Sequence, residues 1–242
     1  RDFIVFTLLE QGAQEAKLKR VSIDWLSAKV GLQGLAVRHN EASVLEVDRL
    51  DFDIYLKELF DDRLRLSGLR VEGAEVVLQQ QDQLILLGPI ALAGGASADE
   101  QEAGESSLEF GSDRIELVDL NIELLQPTGA QRLGIERLNV GGLYQWAPLE
   151  STDIRFVGHL NGAPVTIDSS ALPLPERKTV SVNIALRELE LTPFLTVLEP
   201  DIAARLDANL SIDIAVEGFR ASVSQSGSLG LSEVDVSFDD TQ

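Results

Sequence analysis

The 242-residue chain contains no cysteine and no methionine, and only two histidines, two tryptophans and two tyrosines. Without cysteine there is neither a disulfide framework nor a thiolate metal site or nucleophile, and the redox compartment is left open. His39 and His159 stand apart with no second ligand near either in sequence, which argues against an imidazole-built zinc site. Aromatics make up 5% of the residues, too few for the stacking platforms on which bases and sugars are held. Basic residues are half as frequent as acidic ones, and the formal charge of −20 repels phosphate backbones, so nucleic acid is not an expected partner. No apolar run is long enough to span a bilayer. The longest near the start, FIVFTLL at residues 3–9, is far shorter than the roughly 20 residues a helix needs to cross. A chain that starts at Arg1 and has no methionine reads as an excised piece of a longer protein, and 3–9 as a core helix or the tail of an anchor.

What is present is aliphatic and repetitive. Eight times the chain places two large aliphatic residues two apart, leaves a two-residue gap, and places two more, the copies beginning at Val30, Leu45, Leu64, Ile85, Ile115, Leu133, Ile184 and Leu229. On a helix these positions fall at about 0, 200, 140 and 340°, which defines no face. On a strand they share one face if the gap absorbs one extra residue, the signature of a β-bulge. Chance supplies about three such matches in a chain of this composition. Most gap doublets, among them Gln33-Gly34, Asp48-Arg49, Val118-Asp119, Arg187-Glu188 and Ser232-Glu233, are polar or contain glycine, as bulges prefer.

The expected fold is therefore mainly β: an elongated, curled, largely antiparallel sheet with one or two short helices and an N-terminal helix. The N-terminal helix is expected over 2–16 on propensity, and another near 193–206, where Thr192 and Pro193 form a start signal and a second helical turn covers 201–206. Strands are expected at 21–25, 29–38, 43–56, 62–71, 74–79 and 83–92, then at 108–126, 131–143, 155–169, 179–191, 204–219 and 229–238. Asn161-Gly162 is the strongest hairpin signal. The acidic segment AGGASADEQEAGESS, 93–107, has no large apolar residue and reads as a loop or linker. It divides the chain into 1–92 and 108–242, either as two sheets or as one continuous sheet. A curled sheet with one continuous aliphatic face is a gutter.

The order of these segments resembles the AsmA-like proteins, specifically the branch formerly described as a domain of unknown function. The resemblance rests on VGLQGLAVRH, VLEVDRLDFDIYLKELF and LRLSGLRVEGAEVVLQQ, and on LRELELTPFLTVLEPDIAARLDANLSIDIAVEG at 186–218, about two thirds of the chain in all. One departure is the absence of an Asp-Gly turn after LQQQDQLILLGPI. The resemblance implies a periplasmic protein attached to the inner membrane of a Gram-negative cell, whose β groove guides phospholipids toward the outer membrane. It implies phospholipid and other envelope proteins as partners.

On this reading the chain is not an enzyme and carries no cofactor, metal or catalytic residue. The groove-lining candidates are Leu64, Leu66, Leu69 and Val71; Ile115, Leu117, Leu120 and Ile122; Leu133, Ile135, Leu138 and Val140; and Ile184, Leu186, Leu189 and Leu191. A structural or interaction module of the envelope, with the same residues sealed in a closed core, is the alternative. A hydrolase is disfavoured, since Ser226-Gly227-Ser228-Leu229-Gly230 only approximates a nucleophile elbow and the alternating Asp51 and Asp53 read as a solvated face. Leu120→Asp and Leu189→Asp are expected to separate the two main readings, sparing the fold in a groove and unfolding a sealed core.

Overall fold

In the computed structural model the described residues are 6, 13–39, 42–81, 84–88, 90–93, 109–127, 129–147, 150–172, 177–192, 201–217 and 220–237. They form thirteen strands: β1 (Glu15–Asp24), β2 (Lys29–His39), β3 (Ala42–Ile54), β4 (Arg63–Gln81), β5 (Leu84–Leu87), β6 (Ile90–Ala93), β7 (Glu109–Gln126), β8 (Gly129–Tyr144), β9 (Thr152–Leu160), β10 (Ala163–Leu172), β11 (Arg177–Glu190), β12 (Asp201–Glu217) and β13 (Arg220–Ser237). All belong to one open sheet. Its order is β1-β2-β3-β4-β7-β8-β9-β10-β11-β12-β13, with β5 and β6 as a side hairpin on β4. Every pairing is antiparallel except β4 with β7, which run parallel, so strands from both sides of 93–107 share the sheet.

The mainly β and largely antiparallel architecture is as expected, and the helices are not. Apart from the single residues Phe6 and Thr192, the only helical conformation among the described residues is a 3-10 turn at Glu58–Asp61. Most of the 2–16 helix lies outside the described residues, but its last two positions, Glu15 and Ala16, already pair in β1 with Arg38 and Val37. Of the expected 193–206 helix, 193–200 lies outside the described residues and 201–206 is the start of β12, paired with β11 and β13. A strand hydrogen-bonded on both edges satisfies its backbone more completely than one isolated helical turn could, and this overrides local propensity.

Two strand assignments also change. The expected strands 62–71 and 74–79 are one, β4, continued through a bulge at Gly73 (φ 62°). The expected strand 83–92 folds instead into the hairpin of β5 and β6, with Gly88 (φ 58°) in a turn where the repeat suggested a bulge. The Asn161-Gly162 hairpin stands as expected between β9 and β10, with φ of 51° and 87° at its two residues.

Ser67-Gly68 makes a separate bulge on β4, at its register shift against Asp53 and Ile54, and the other six doublets build one feature together. Gly34 lies opposite Asp48, Asp48 opposite Gly73, Gly73 opposite Asp119, and Asp119 opposite Glu136, each between intact ladder pairs. Register shifts continue the line beside Glu136 between β8 and β9, at Arg187-Glu188 opposite Asp207, and near Glu233. Gly34, Gly73, Asp119, Glu188 and Glu233 along it have φ between 51° and 63°. Bulges aligned across neighbouring strands bend the whole sheet at one place, since each one locally kinks and twists its strand.

An open apolar face as the candidate functional site

Because a bulge restores the pleat after an extra residue, the apolar positions on its two sides stay on one face. Two rows of cross-strand partners flank the bulge line. The first runs Val21, Leu32, Leu50, Val71, Leu117, Leu138, Phe156, Ile167, Ile184 and Leu210, from β1 to β12. The second runs Leu18, Leu35, Val47, Ala74, Leu120, Ile135, Gly158, Val165, Leu186, Ala208 and Leu229, from β1 to β13. Ten strand spacings of about 4.8 Å make this stripe roughly 48 Å long, longer than the hydrocarbon thickness of a bilayer, about 30 Å.

The described residues form a single sheet and contain no second sheet or long helix to make a layer over this face. Strands make substantial contacts only with the strands they are paired to, and β4 with the 3-10 turn. The chain exposes 16452 Å2, whereas a compact monomer of its mass exposes about 10,600 Å2. The least exposed large hydrophobics, Leu189, Leu18 and Ile135, still keep 5–6% of their surface.

Of the sequence-derived groove candidates, the structure gathers Val71, Leu117, Leu120, Ile122, Leu133, Ile135, Leu138 and Leu186 into one apolar cluster. Leu69, Ile115 and Val140 form a cross-strand row next to it, and Ile184 stands in the first row opposite Ile167. Leu64 and Leu66 lie farther along β4, opposite Phe110 and Ser112, while Leu189 pairs with Leu206 and Leu191 follows the end of β11. Leu120 and Leu189 are 8% and 5% exposed, so aspartate there would bury a charge even in an open sheet; the half-buried Leu117 and Ile167 are the discriminating positions. Phe156, Leu160, Val165 and Ile167 belong to the same cluster but fall outside the repeat, because β9 and β10 alternate simply and lack the bulged spacing. Their signal in the sequence is the alternation within RFVGHLNGAPVTIDS.

The opposite face is polar and laced with cross-strand ion pairs. Arg70 reaches Glu116 at 2.7 Å, Arg155 reaches Asp168 at 2.8 Å and Arg132 reaches Glu123 at 2.9 Å. Asp51 and Asp53, the alternating carboxylates, pair with Arg49 and Lys29. Such exposed pairs contribute little each, about 0–1 kcal/mol, and their main effect is to keep this face wet. His159 lies 3.3 Å from Glu136, and among the described residues no group of three or more His, Asp or Glu is disposed to hold a metal ion.

One polar cluster stands apart at the end of β4, β7 and β8. Asp113 accepts hydrogen bonds from Arg65 Nε (2.8 Å), Tyr144 Oη (2.9 Å) and Tyr55 Oη (3.1 Å), while Arg65 also lies over the Tyr55 and Tyr144 rings and Arg63 over Trp146. Burial opposes ionisation of Asp113, but the bonds from Arg65, Tyr144 and Tyr55 outweigh it and hold its carboxyl below the usual aspartate range. A depressed carboxyl pKa adds stability that is present above the unfolded value, near 3.9, and is lost as pH falls through the folded one. Asp113→Asn is therefore expected to lower the melting temperature at pH 7 and to narrow the difference from wild type below about pH 3.5, measured by thermal melts across that range. An equal deficit at all pH values would show that the carboxylate charge is not what ties this corner together.

No protein-family model matches the chain, and no curated protein is significantly similar to it.

Proposed function

We propose that this chain is the periplasmic groove segment of an AsmA-like protein, which shields phospholipid acyl chains on its apolar face as they pass between the inner and outer membranes. The observation that carries this reading is the double row of aliphatic side chains crossing a single open sheet from β1 to β12, one row reaching β13, with no second sheet or long helix among the described residues to form a layer over it. At about 0.8 kcal/mol per buried methylene, an acyl chain cannot cross water unshielded, and a row of interchangeable Leu, Ile and Val contacts lowers that cost without one deep trap. The rows run across the strands, so a chain lying along them meets the same chemistry at every step. The family resemblance supplies the location, the inner-membrane attachment and the lipid class. Other envelope proteins are proposed as partners on the same ground.

The test is native mass spectrometry with lipid extraction on protein purified from a Gram-negative host. Wild type is expected to carry phospholipid, and Leu117→Glu/Ile167→Glu to lose it while keeping the wild-type circular dichroism spectrum. Both side chains are half-buried and three strands apart, so each glutamate can reach water. A clean apo mass with no uptake of added phospholipid would overturn the proposal.

A further inference from the structure

Exposed large apolar side chains line the edge strand β13, but the most exposed among the described residues stand at one end of strands β1 to β4. Trp25 is 80% exposed, Leu26 102% and Phe60 91%, with Tyr55, Leu56 and Leu59 at 41–49%. They sit on two connections, 25–28 between β1 and β2 and 55–62 between β3 and β4. Ile54 N–H donates to Ala28 C=O at 3.0 Å, which ties the two together.

Neither connection is a loose loop. Asp24 Oδ1 accepts from Leu26 N–H at 3.0 Å and Ser27 N–H at 3.4 Å, and Ser27 Oγ donates to Asp24 Oδ2 at 2.7 Å. In the second, Tyr55 N–H donates to Arg65 C=O, Phe60 N–H to Lys57 C=O, and the left-handed Asp62 closes the 3-10 turn with its N–H on Glu58 C=O. Two hydrogen-bonded turns thus hold Trp25, Leu26 and Phe60 with most of their apolar surface in water. Of the two tryptophans in the chain, one stands here.

We propose that these two turns form an interfacial anchor that inserts Trp25, Leu26 and Phe60 into the surface of a zwitterionic lipid bilayer. Tryptophan and tyrosine favour the headgroup level, where an amphipathic ring has one side apolar and the other wet, and exposed apolar clusters rimmed by polar residues mark membrane contacts. Electrostatics select the lipid. The whole chain carries −20, and of the cations in the two turns and their flanks Lys29 and Arg63 are paired with Asp53 and Glu109, leaving an acidic tip with no basic patch for an anionic surface. A zwitterionic headgroup layer does not repel such a tip, whereas an anionic one does. The inference stands independently of the groove reading, because no residue of the two rows takes part.

The experiment is flotation with phosphatidylcholine vesicles, with tryptophan emission read in parallel. Wild type is expected to float and its emission to shift to the blue. Trp25→Ser/Leu26→Ser/Phe60→Ser, all at exposed positions that leave the fold intact, is expected to bind at least about 100-fold more weakly, since losing one buried anchor costs about tenfold or more. Trp25→Phe should still float but lose the shift, and Leu117→Glu/Ile167→Glu should float like wild type. Failure of wild type to float, or flotation retained by the triple variant and lost by the groove variant, would overturn the anchor. Concentration-dependent self-association in solution, abolished by the triple variant with no vesicle binding by wild type, would assign the tip to a second copy and overturn it too.

Discussion

Gly158→Ala is expected to destabilise the protein by about 3 kcal/mol or more, an exceptional cost for one methyl group. A Cβ at residue 158 would overlap Gly134 O, a backbone atom of the adjacent β8, and would stand 2.8 Å from Phe156 Cζ. The ring could swing aside, but the carbonyl cannot move without breaking the ladder beside the Glu136 bulge, where β8 already shifts register against β9. Urea unfolding should show a lowered midpoint. Two glycines serve as controls. Gly134→Ala meets nothing closer than Asn121 Oδ1 at 3.6 Å, and Gly68→Ala meets nothing within 4 Å, so both should remain within about 1 kcal/mol of wild type. An equally mild Gly158→Ala would mean that β8 and β9 are farther apart than they stand here.

The second large effect is expected at Phe156, 8% exposed and the only aromatic side chain that the apolar cluster holds among the described residues. Truncating a buried Phe to Ala in an ordinary core costs about 3–5 kcal/mol, because the lost transfer energy is joined by the cost of a dry cavity. Here the described residues supply no second sheet or long helix over the face, so in an open sheet the space left would admit solvent and only the transfer part would remain, about 2–3 kcal/mol. Phe156→Ala measured by equilibrium urea unfolding therefore reads the architecture directly. A loss of about 2.5 kcal/mol fits an open face, whereas one of about 4 kcal/mol or more requires something covering the ring. The same truncation should weaken phospholipid retention, since the ring occupies the middle of the first row between Leu138 and Ile167.

The bulged repeat is legible from spacing alone, because an i, i+2, i+5, i+7 pattern of large aliphatics fits a strand only if a residue is absorbed. That spacing puts Leu117 and Leu120 on one face of β7, and Leu133, Ile135 and Leu138 on one face of β8, as the apolar cluster has them. Ala74 falls outside the pattern because alanine is not a large aliphatic, and with it goes the bulge at Gly73 that carries the line through β4. The two stretches that propensity assigns wrongly to helix share one cause. Glu15, Ala16 and most of residues 201–206 are acceptable helix formers judged one at a time, but their backbone groups are claimed by neighbouring strands.

By itself the sequence determined the strand-rich class, the aliphatic and acidic division of the two faces, the Asn161-Gly162 hairpin and the presence of bulges. These follow from near-neighbour chemistry, that is, from which side chains alternate and which residues tolerate a positive φ. Only the tertiary structure decided that the bulges align into one line, that β4 and β7 pair in parallel 46 residues apart, and that the sheet stays open. Those depend on register between strands distant in the chain, and a local pattern is equally compatible with many registers until the pairing of both edges selects one.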